Sequence, residues 1–294
     1  ERPTEARFDC NADGVLTATD YATDPRLLPA ATEEPCGEEL CSFPAGDANA
    51  NGVFDAGDLL AQSFIADGVD NDGNGFVDDI AGWDFGDHDP EPADAYDPEG
   101  NAHGTRRALE AAAETDNGVG GAGVCPRCRV LPLRVSDRHV AGPEAFAQAI
   151  IYAVDAGAAV VLATPSSLGL SSFARAAIDY AWDNGALVVT ALGDVGSRLH
   201  DVPATSRHVL PVHAVTMAGA NPESTTTTSF LAASPCGNFG AHNLLSAPSA
   251  GSSRAAAAHV AGVAGLVHSM VRPLGYGETQ PRLEASELLG LLLT

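Results

Sequence analysis

Between residues 129 and 216, short apolar runs alternate with longer alanine-rich runs along the chain. The short runs are continuously apolar, which is typical of strands buried on both faces of a sheet. The longer runs have the length of the helical crossovers that join parallel strands. This alternation predicts an α/β fold, a parallel sheet flanked by helices. The predicted strands are 129–135, 159–163, 186–192 and 209–216, and the predicted helices between them are 143–157 and 173–185.

A histidine stands before another alanine-rich run, in the segment Asn101–Thr115 (NAHGTRRALEAAAET). The alanines predict a helix, and Thr105 is a candidate for its N-cap. His103 would then project from a loop at the helix entrance, where a histidine can accept and return protons near neutral pH. A loop histidine before a helix more often has no chemical role, so His103 gains weight only from the motifs that follow.

A serine pair, Ser252 and Ser253, opens a further alanine-rich helix that continues through HVAGVAGL (259–266). A serine in this position is either an ordinary helix cap or a nucleophile whose developing charge the helix amides stabilise. Two other motifs follow predicted strands. The tripeptide SLG (167–169) comes after the strand 159–163, and Gly193-Asp194 comes after the strand 186–192.

The order of these motifs resembles the subtilisin-like serine proteases, or subtilases, from about Asp67 to Met270. That family carries a histidine in HGT, a substrate-binding SLG, an oxyanion asparagine after AG, and a serine in GTS followed by HVAG. The resemblance implies a subtilisin-like fold and the hydrolysis of peptide bonds in proteins or peptides. The residue roles that it implies are His103 as base, Ser253 as nucleophile, Asp194 at the oxyanion position, and Ser167, Leu168 and Gly169 in substrate binding.

Three features depart from the family pattern. An ungapped alignment from HVAG places Arg254 at the nucleophile position, and Ser253 fits there only if the helix carries one extra alanine. Asp194 replaces the asparagine, and a carboxylate repels an oxyanion unless it is protonated. Residues 1–66 contain no match to the catalytic aspartate, which we expect upstream of Glu1 with its strand. We therefore expect weak activity at most, and the alternative is an inactive subtilase that binds peptides or supports a surface assembly.

Acidic loops with a regular spacing precede residue 100. Two of them carry Asp or Asn at positions 1, 3 and 5 and glycine at position 6, so that oxygen ligands converge on one calcium ion. Both end in Asp, as in dockerins, and a third loop has Ala81 at position 12. The alternative is an Asx-rich turn without an ion. The predicted Ca²⁺ ligands are Asp9, Asn11, Asp13, Val15 and Asp20, then Asp47, Asn49, Asn51, Val53 and Asp58, and finally Asp70, Asp72 and Asn74.

Composition limits the partners and the compartment. The net charge is −24, with 39 acidic residues against 15 basic ones, and phosphate binding needs a basic face, so nucleic acid is not expected as a partner. No apolar run is long enough to predict a membrane span. The six cysteines favour an exported protein with disulfides. Cys36 with Cys41 and Cys125 with Cys128 are natural local pairs, although sequence alone leaves the pairing open.

These observations predict a secreted, monomeric, calcium-stabilised serine endopeptidase in two parts. Residues 1–66 form a calcium-loop segment, and residues 67–294 form the subtilisin-like domain without its first strand and catalytic aspartate. The apolar run near the end of the chain, LLGLLLT (288–294), is expected to close the core as a final helix.

Overall fold

The computed structural model describes residues 33–36, 39–42, 67–70, 73–94, 102–116, 118, 120–136, 141–165, 171–198, 202–218, 229–240, 243–249, 252–270 and 283–294. It divides into two compact units, Glu1–Pro92 and Ala93–Thr294. The described strands are β1 (Glu33–Cys36), β2 (Glu39–Ser42), β3 (Trp83–Asp84), β4 (Leu133–Arg134), β5 (Val160–Ala163), β6 (Leu187–Ala191), β7 (Val209–Ala218), β8 (Ser229–Ala233) and β9 (Leu245–Pro248). The described helices are a short 3-10 turn (Asp79–Ala81), α1 (His103–Ala112), α2 (Pro143–Asp155), α3 (Ser172–Asp183), α4 (Ser253–Met270) and α5 (Ala285–Leu293).

In the first unit, β1 and β2 form an antiparallel hairpin that places Cys36 opposite Glu39. Farther along, Phe76 packs edge-on against Trp83 and Phe85, with ring centroids 5.1 and 5.7 Å apart. The two contacted rings are buried, so aromatic packing stabilises a segment that is otherwise rich in turns. The predicted boundary after residue 66 stays a prediction, because residues 43–66 lie outside the described part of the chain.

In the second unit, five strands form one sheet in the order β5-β6-β7-β8, with β9 also paired to β7. Strands β5, β6, β7 and β9 are parallel to one another, which confirms the predicted parallel sheet. Strand β8 was not predicted and runs antiparallel to β7. An antiparallel neighbour needs no helical crossover, so β8 leaves no βαβ spacing in the sequence.

Helices cover both faces of this sheet. Leu187 and Val189 of β6 face a cluster formed with α4 and α5, whereas Val188 between them faces a cluster formed with α2 and α3. The side chains of Leu187, Val188 and Val189 are all fully buried. Because successive strand residues point to opposite faces, a strand covered on both sides must be apolar at every position. This double coverage explains the continuous apolar runs in the sequence.

Several predicted boundaries shift. The strand predicted at 129–135 contains only the two residues of β4. The helix predicted from residue 173 begins one residue earlier, because the Ser171 hydroxyl accepts a hydrogen bond from the Ala174 amide at 3.1 Å and caps it. The final helix is confirmed as α5, and its Leu288 is fully buried in the core. None of the helices in the described part of the chain is long and apolar enough to cross a membrane.

The Cys125–Cys128 turn packs against α4. The two sulfur atoms lie at bonding distance, and the Cα atoms are 5.3 Å apart. A Cβ atom added at Gly265 would lie 2.6 Å from the Cys128 sulfur, so the helix approaches the turn closely because it carries a glycine there. Cys236 is exposed and unpaired within the described residues, and the side chains of the remaining three cysteines lie outside that part of the structure.

Helices α1 and α4 also touch through a glycine. A Cβ atom at Gly262 would lie 2.7 Å from the Ala111 carbonyl oxygen and from the Val124 Cβ. We expect Gly262→Ala to lower the free energy of unfolding by about 1–3 kcal/mol, because a close-packed contact has no room for the added methyl group. Gly290 of α5 has no neighbour within 4 Å of such a position. Gly290→Ala should therefore raise stability by up to about 1 kcal/mol through helix propensity. Urea denaturation measures both changes, and shifts of the same sign would contradict the close contact.

Candidate active site

The first turn of α4 lies at the carboxyl ends of β5 and β6. Asp194, three residues after β6, accepts a hydrogen bond from the Ser253 amide at 2.6 Å. The Arg254 Nε donates to the carbonyl of Thr164, directly after β5, at 3.4 Å. Ligands of open parallel sheets collect at this edge. The residues that resemble a protease site therefore lie where the fold would place a site.

Ser253 is fully buried and faces the loop after β6. Its hydroxyl lies 2.6 Å from Asp194 Oδ1 and 3.0 Å from the Gly193 carbonyl oxygen, and it accepts the Gly193 amide at 3.2 Å. A hydroxyl donates one proton and accepts through its lone pairs, so these contacts satisfy the hydrogen-bonding capacity of Ser253. The side chain links the helix to the loop, and its exposed fraction is 0%. This placement differs from that of a nucleophile, which has to reach the substrate.

Arg254 forms an ion pair with Asp194, with 2.9 Å between Nη1 and Oδ2 and exposed side-chain fractions of 21% and 13%. The same Oδ2 accepts the Ser252 hydroxyl at 3.1 Å. Hydrogen bonds from charged and neutral donors thus surround the carboxylate, as a mostly buried charge requires. The ion pair of Arg254 with Asp194 fits both alignments of this helix, whereas the burial of Ser253 favours the ungapped one. Which residue holds the nucleophile position stays a prediction.

Asn238 holds the loop that carries Asp194, and no sequence motif indicated this role. Its Oδ1 accepts the amides of Val195 and Ser197 at 3.0 and 3.3 Å, and its Nδ2 lies 3.4 Å from the Leu192 carbonyl oxygen. The side chain is fully buried. A short polar residue between glycines, CGNFG (236–240), was the only sequence signal available.

His103 is the first residue of α1. The prediction that Thr105 caps this helix is wrong, because Thr105 lies inside it and Ala102 is the N-cap. The Asp94 carboxylate accepts the Thr105 amide at 3.2 Å and takes over the capping role. His103 itself is partly buried, so it stands in the helical first turn rather than in the preceding loop.

Helices α1 and α4 run in the same direction. Ala111 lies against Gly262, whereas Arg107, one turn earlier in α1, interacts electrostatically with Arg254, two turns earlier in α4. The order of the two pairs is the same along both helices. His103 and Ser253 are the first residues of these two helices.

Arg107 is a buried charge that the sequence analysis did not single out. Burial lowers the pKa of its guanidinium, and the nearby Glu110 carboxylate opposes that change. Arg106 and Arg254 lower the pKa further, and Asp194 raises it. Arg107 Nη2 lies 2.8 Å from Glu110 Oε1, but its Nε is buried without a hydrogen-bond acceptor among the described residues.

The predicted SLG contact, Ser167, Leu168 and Gly169, lies outside the described residues. The same is true of all predicted calcium ligands in the first two loops and of Asp72 in the third, so these residues stay predictions. In the third loop, Asp70 Oδ1 accepts the Gly73 amide at 2.7 Å and Oδ2 accepts the Gly75 amide at 2.8 Å. Within the described ranges, no three His, Cys, Asp or Glu residues converge on a possible metal position. In the described part of this loop, the Asp70 carboxylate stabilises a turn, and calcium binding there stays a prediction.

The subtilase family model matches residues 64–285 of the chain. Thermitase of Thermoactinomyces vulgaris is 34% identical over 197 residues, which cover 66% of this chain and 68% of Thermitase. A thermophilic serine proteinase of Bacillus sp. (strain AK1) is 41% identical over 137 residues, 46% of this chain and 33% of that protein. The chain thus spans about two thirds of one relative and one third of the other.

Solved structures show the same fold. A cold-adapted subtilisin-like serine proteinase superposes with a TM-score of 0.52 over 76% of this chain and 77% of that one, at 21% identity. A lanthipeptide protease gives a TM-score of 0.53 over 72% of both chains, at 19% identity. The family match covers most of the chain and agrees with the observed sheet and helices, so this chain belongs to the subtilase family.

Proposed function

We propose that this protein binds peptides at the carboxyl edge of its sheet without hydrolysing them. What supports the proposal is the first turn of α4, where Arg254 stands at the aligned nucleophile position and pairs with Asp194. Serine catalysis needs an accessible hydroxyl beside a base. The Arg254 guanidinium stays protonated in a protein and offers no nucleophilic lone pair, and the neighbouring Ser253 hydroxyl is buried.

Asp194 supports the same proposal. Negative charge develops on the substrate oxygen during acyl transfer, and hydrogen-bond donors stabilise it. The Asp194 side chain offers acceptors, and it is held by donors from Ser252, Ser253 and Arg254. Loss of one oxyanion donor typically raises the barrier by about 3 kcal/mol, and a negative charge in its place would add repulsion.

Binding is part of the proposal because membership of the subtilase family implies protein or peptide partners. A ligand at the sheet edge would meet the partly exposed Arg254. Peptide recognition can therefore persist where the chemical step is lost.

We expect a fluorophosphonate probe, which reacts only with an activated serine, to leave the full chain unlabelled. Thermitase serves as the positive control under the same conditions. Hydrolysis of casein should also stay at the level of the buffer blank. Labelling that is lost in Ser253→Ala but kept in Ser252→Ala would overturn the proposal and assign the nucleophile to Ser253.

A second candidate function is a secreted, monomeric, calcium-stabilised serine endopeptidase. The observation that favours it is the packing of α1 against α4, because His103 and Ser253 are the first residues of these two helices. It requires the first turn of α4 to rearrange so that the Ser253 hydroxyl leaves Gly193 and Asp194. The fluorophosphonate experiment separates the two candidates.

We further propose that calcium stabilises the protein through the two acidic loops in residues 1–66. A ligand that binds only the folded state at a hundredfold excess over its dissociation constant adds about 2.7 kcal/mol. This corresponds to an increase in Tm of roughly 5–10 °C for a domain of this size. Thermal melts in excess calcium and in chelator measure the difference, with Asp9→Asn/Asp47→Asn as the variant that should lose it. Identical melting curves for the unmodified protein would contradict a calcium role.

A further inference from the structure

The turn between Cys125 and Cys128 joins the end of α1 to the later part of α4. The Val124 and Cys125 amides donate to the carbonyl oxygens of Glu110 and Ala111 at 3.2 and 2.8 Å, so the turn satisfies carbonyl groups that the end of a helix leaves open. The Cys128 amide donates to the Cys125 carbonyl at 2.9 Å, and the two sulfur atoms are bonded to each other. The turn is therefore closed both by its backbone and by its side chains.

The two cysteines differ in their exposure. Cys125 is 2% exposed, whereas Cys128 is partly exposed. Redox-active pairs commonly show this difference, because an accessible cysteine exchanges with an outside thiol and a neighbouring cysteine resolves the mixed disulfide. A disulfide that is inaccessible on both sides resists such exchange. The exposures therefore favour Cys128 as the exchanging residue and Cys125 as the resolving one.

Helix α4 lies directly against the bonded sulfur atoms at Gly265. A Cβ atom added there would lie 2.6 Å from the Cys128 sulfur and 3.6 Å from the Cys125 sulfur. Two thiols need more space than one disulfide, since bonded sulfur atoms are about 2 Å apart and non-bonded heavy atoms are about 3.5–4 Å apart. The helix blocks movement on its own side, so opening of the bond has to move Cys128 away from α4.

We propose that Cys125 and Cys128 form a thiol–disulfide exchange site whose opening loosens the contact between α1 and α4. A low-molecular-weight thiolate attacks the Cys128 sulfur, the bond between the cysteines breaks, and Cys125 leaves as a thiolate that takes up a proton. A second thiolate attacks the small-molecule sulfur of the mixed disulfide and releases Cys128. Two small thiols are thereby oxidised to their disulfide, and the cysteine pair is reduced. The small disulfide is the oxidant of the reverse reaction, which closes the bond again.

The oxidised and reduced states differ where two helices of the candidate site meet. Helix α1 begins with His103, helix α4 begins with Ser253, and the turn contacts both helices. A bond across the turn holds it in the shape that fits between them, and reduction removes this constraint. The exchange thus couples the redox state to the packing of these helices, and it does not depend on the proposed peptide binding.

Reduction of the folded chain tests the exchange. The oxidised full chain is incubated with glutathione at several urea concentrations below its unfolding transition, the thiols are blocked with N-ethylmaleimide, and mass spectrometry follows the state of both cysteines. We expect the rate to change less than about twofold over this range, because an accessible sulfur reacts without unfolding. A bond that stays closed, or a rate that rises with urea in parallel with the unfolded fraction, would overturn the inference and leave a structural disulfide.

Two single variants of the full chain assign the roles of the cysteines. Glutathione disulfide should modify Cys128 in Cys125→Ser at least about tenfold faster than it modifies Cys125 in Cys128→Ser, because an accessible thiol reacts more readily than a buried one. The exposed Cys236 is the internal control and should react equally in both variants, with thermal melts to verify folding. Equal rates at the two cysteines, or a faster rate at Cys125, would contradict the assigned roles.

Gly265→Ala tests the coupling to α4. Its methyl group has no room beside the Cys128 sulfur in the closed pair. At a fixed ratio of glutathione to its disulfide, we expect the ratio of reduced to oxidised pair to rise at least about fivefold, as for other overpacked contacts. Gly290→Ala is the matched control, since nothing lies within 4 Å of its added Cβ position, and the ratio should stay unchanged there. An unchanged ratio in folded Gly265→Ala would contradict the coupling.

Amide hydrogen exchange of the unmodified chain measures the same coupling without a substitution. Exchange in α4 around Gly265 and at the end of α1 should be at least about threefold faster in the reduced state, because loosened packing permits local opening. Helix α2 (Pro143–Asp155) is the internal reference and should exchange equally in both states. Identical exchange in α1 and α4 in the two states would show that the bond opens without loosening the helices.

Discussion

The double variant Arg254→Ser/Asp194→Asn should react with a fluorophosphonate probe at position 254, at least about a hundredfold faster than the unmodified chain. Position 254 is the second residue of the helix that packs against the helix led by His103. A serine there would lie in the aligned nucleophile position, and the asparagine amide would replace a repelling carboxylate with a donor. One such donor changes the rate of acyl transfer by about two to three orders of magnitude. Mass spectrometry of the labelled peptide measures the effect.

The single variants serve as controls for this result. Arg254→Ser alone should stay close to background, because Asp194 would then place an unpaired carboxylate beside the reacting oxygen. Asp194→Asn alone should stay at background because it introduces no nucleophile. A folded double variant that remains unlabelled would contradict the prediction that a serine at position 254 is activated in this chain.

Asn238→Ala should lower the free energy of unfolding by about 3 kcal/mol. The side chain is fully buried, and its removal leaves the Val195 and Ser197 amides without their acceptor. Each lost hydrogen bond costs about 0.5–1.5 kcal/mol, and the cavity left by the buried side chain adds to that cost. The melting temperature should fall by roughly 6–12 °C in a domain of this size.

Asn243→Ala is the matched control for Asn238. Asn243 is an exposed residue of the same type, and its side chain makes one hydrogen bond, to the Ser246 hydroxyl at 3.3 Å. We expect a change within about 0.5 kcal/mol there, as for most surface substitutions. Equal effects of the two variants in urea denaturation would contradict the role of Asn238 in holding the loop after β6.

The sheet was predictable because its signal is local. Leu187, Val188 and Val189 are all apolar, and only a strand covered on both faces requires that. The helices followed from the same alternation, and their ends shifted by a residue or two where a capping side chain such as Ser171 decided the boundary. Strand β8 was missed because an antiparallel return has no crossover to reveal it.

The site was predictable only in part. Short motifs indicated His103, Asp194 and the serine pair. The sequence left open whether Ser253 or Arg254 holds the nucleophile position, because one extra alanine in the helix changes the alignment. Burial and hydrogen bonds distinguish the two, and both are properties of the folded chain. Asn238 was missed because its hydrogen-bond partners lie far away in sequence. Arg107 was missed because the burial of its side chain is a property of the folded chain. Long-range hydrogen bonds and side-chain burial leave no pattern in a short sequence motif.

Because Arg254 and Asp194 form an ion pair, the effect of a substitution at one position depends on the residue at the other. A chain that changes Arg254 first leaves a mostly buried carboxylate unpaired, and a chain that changes Asp194 first leaves a mostly buried guanidinium unpaired. Either intermediate loses stability, because a buried charge without its partner is strongly destabilising. Contacting residues of this kind are not additive in their effects. A single substitution at either position therefore lowers stability, and a simultaneous change of both positions avoids that cost.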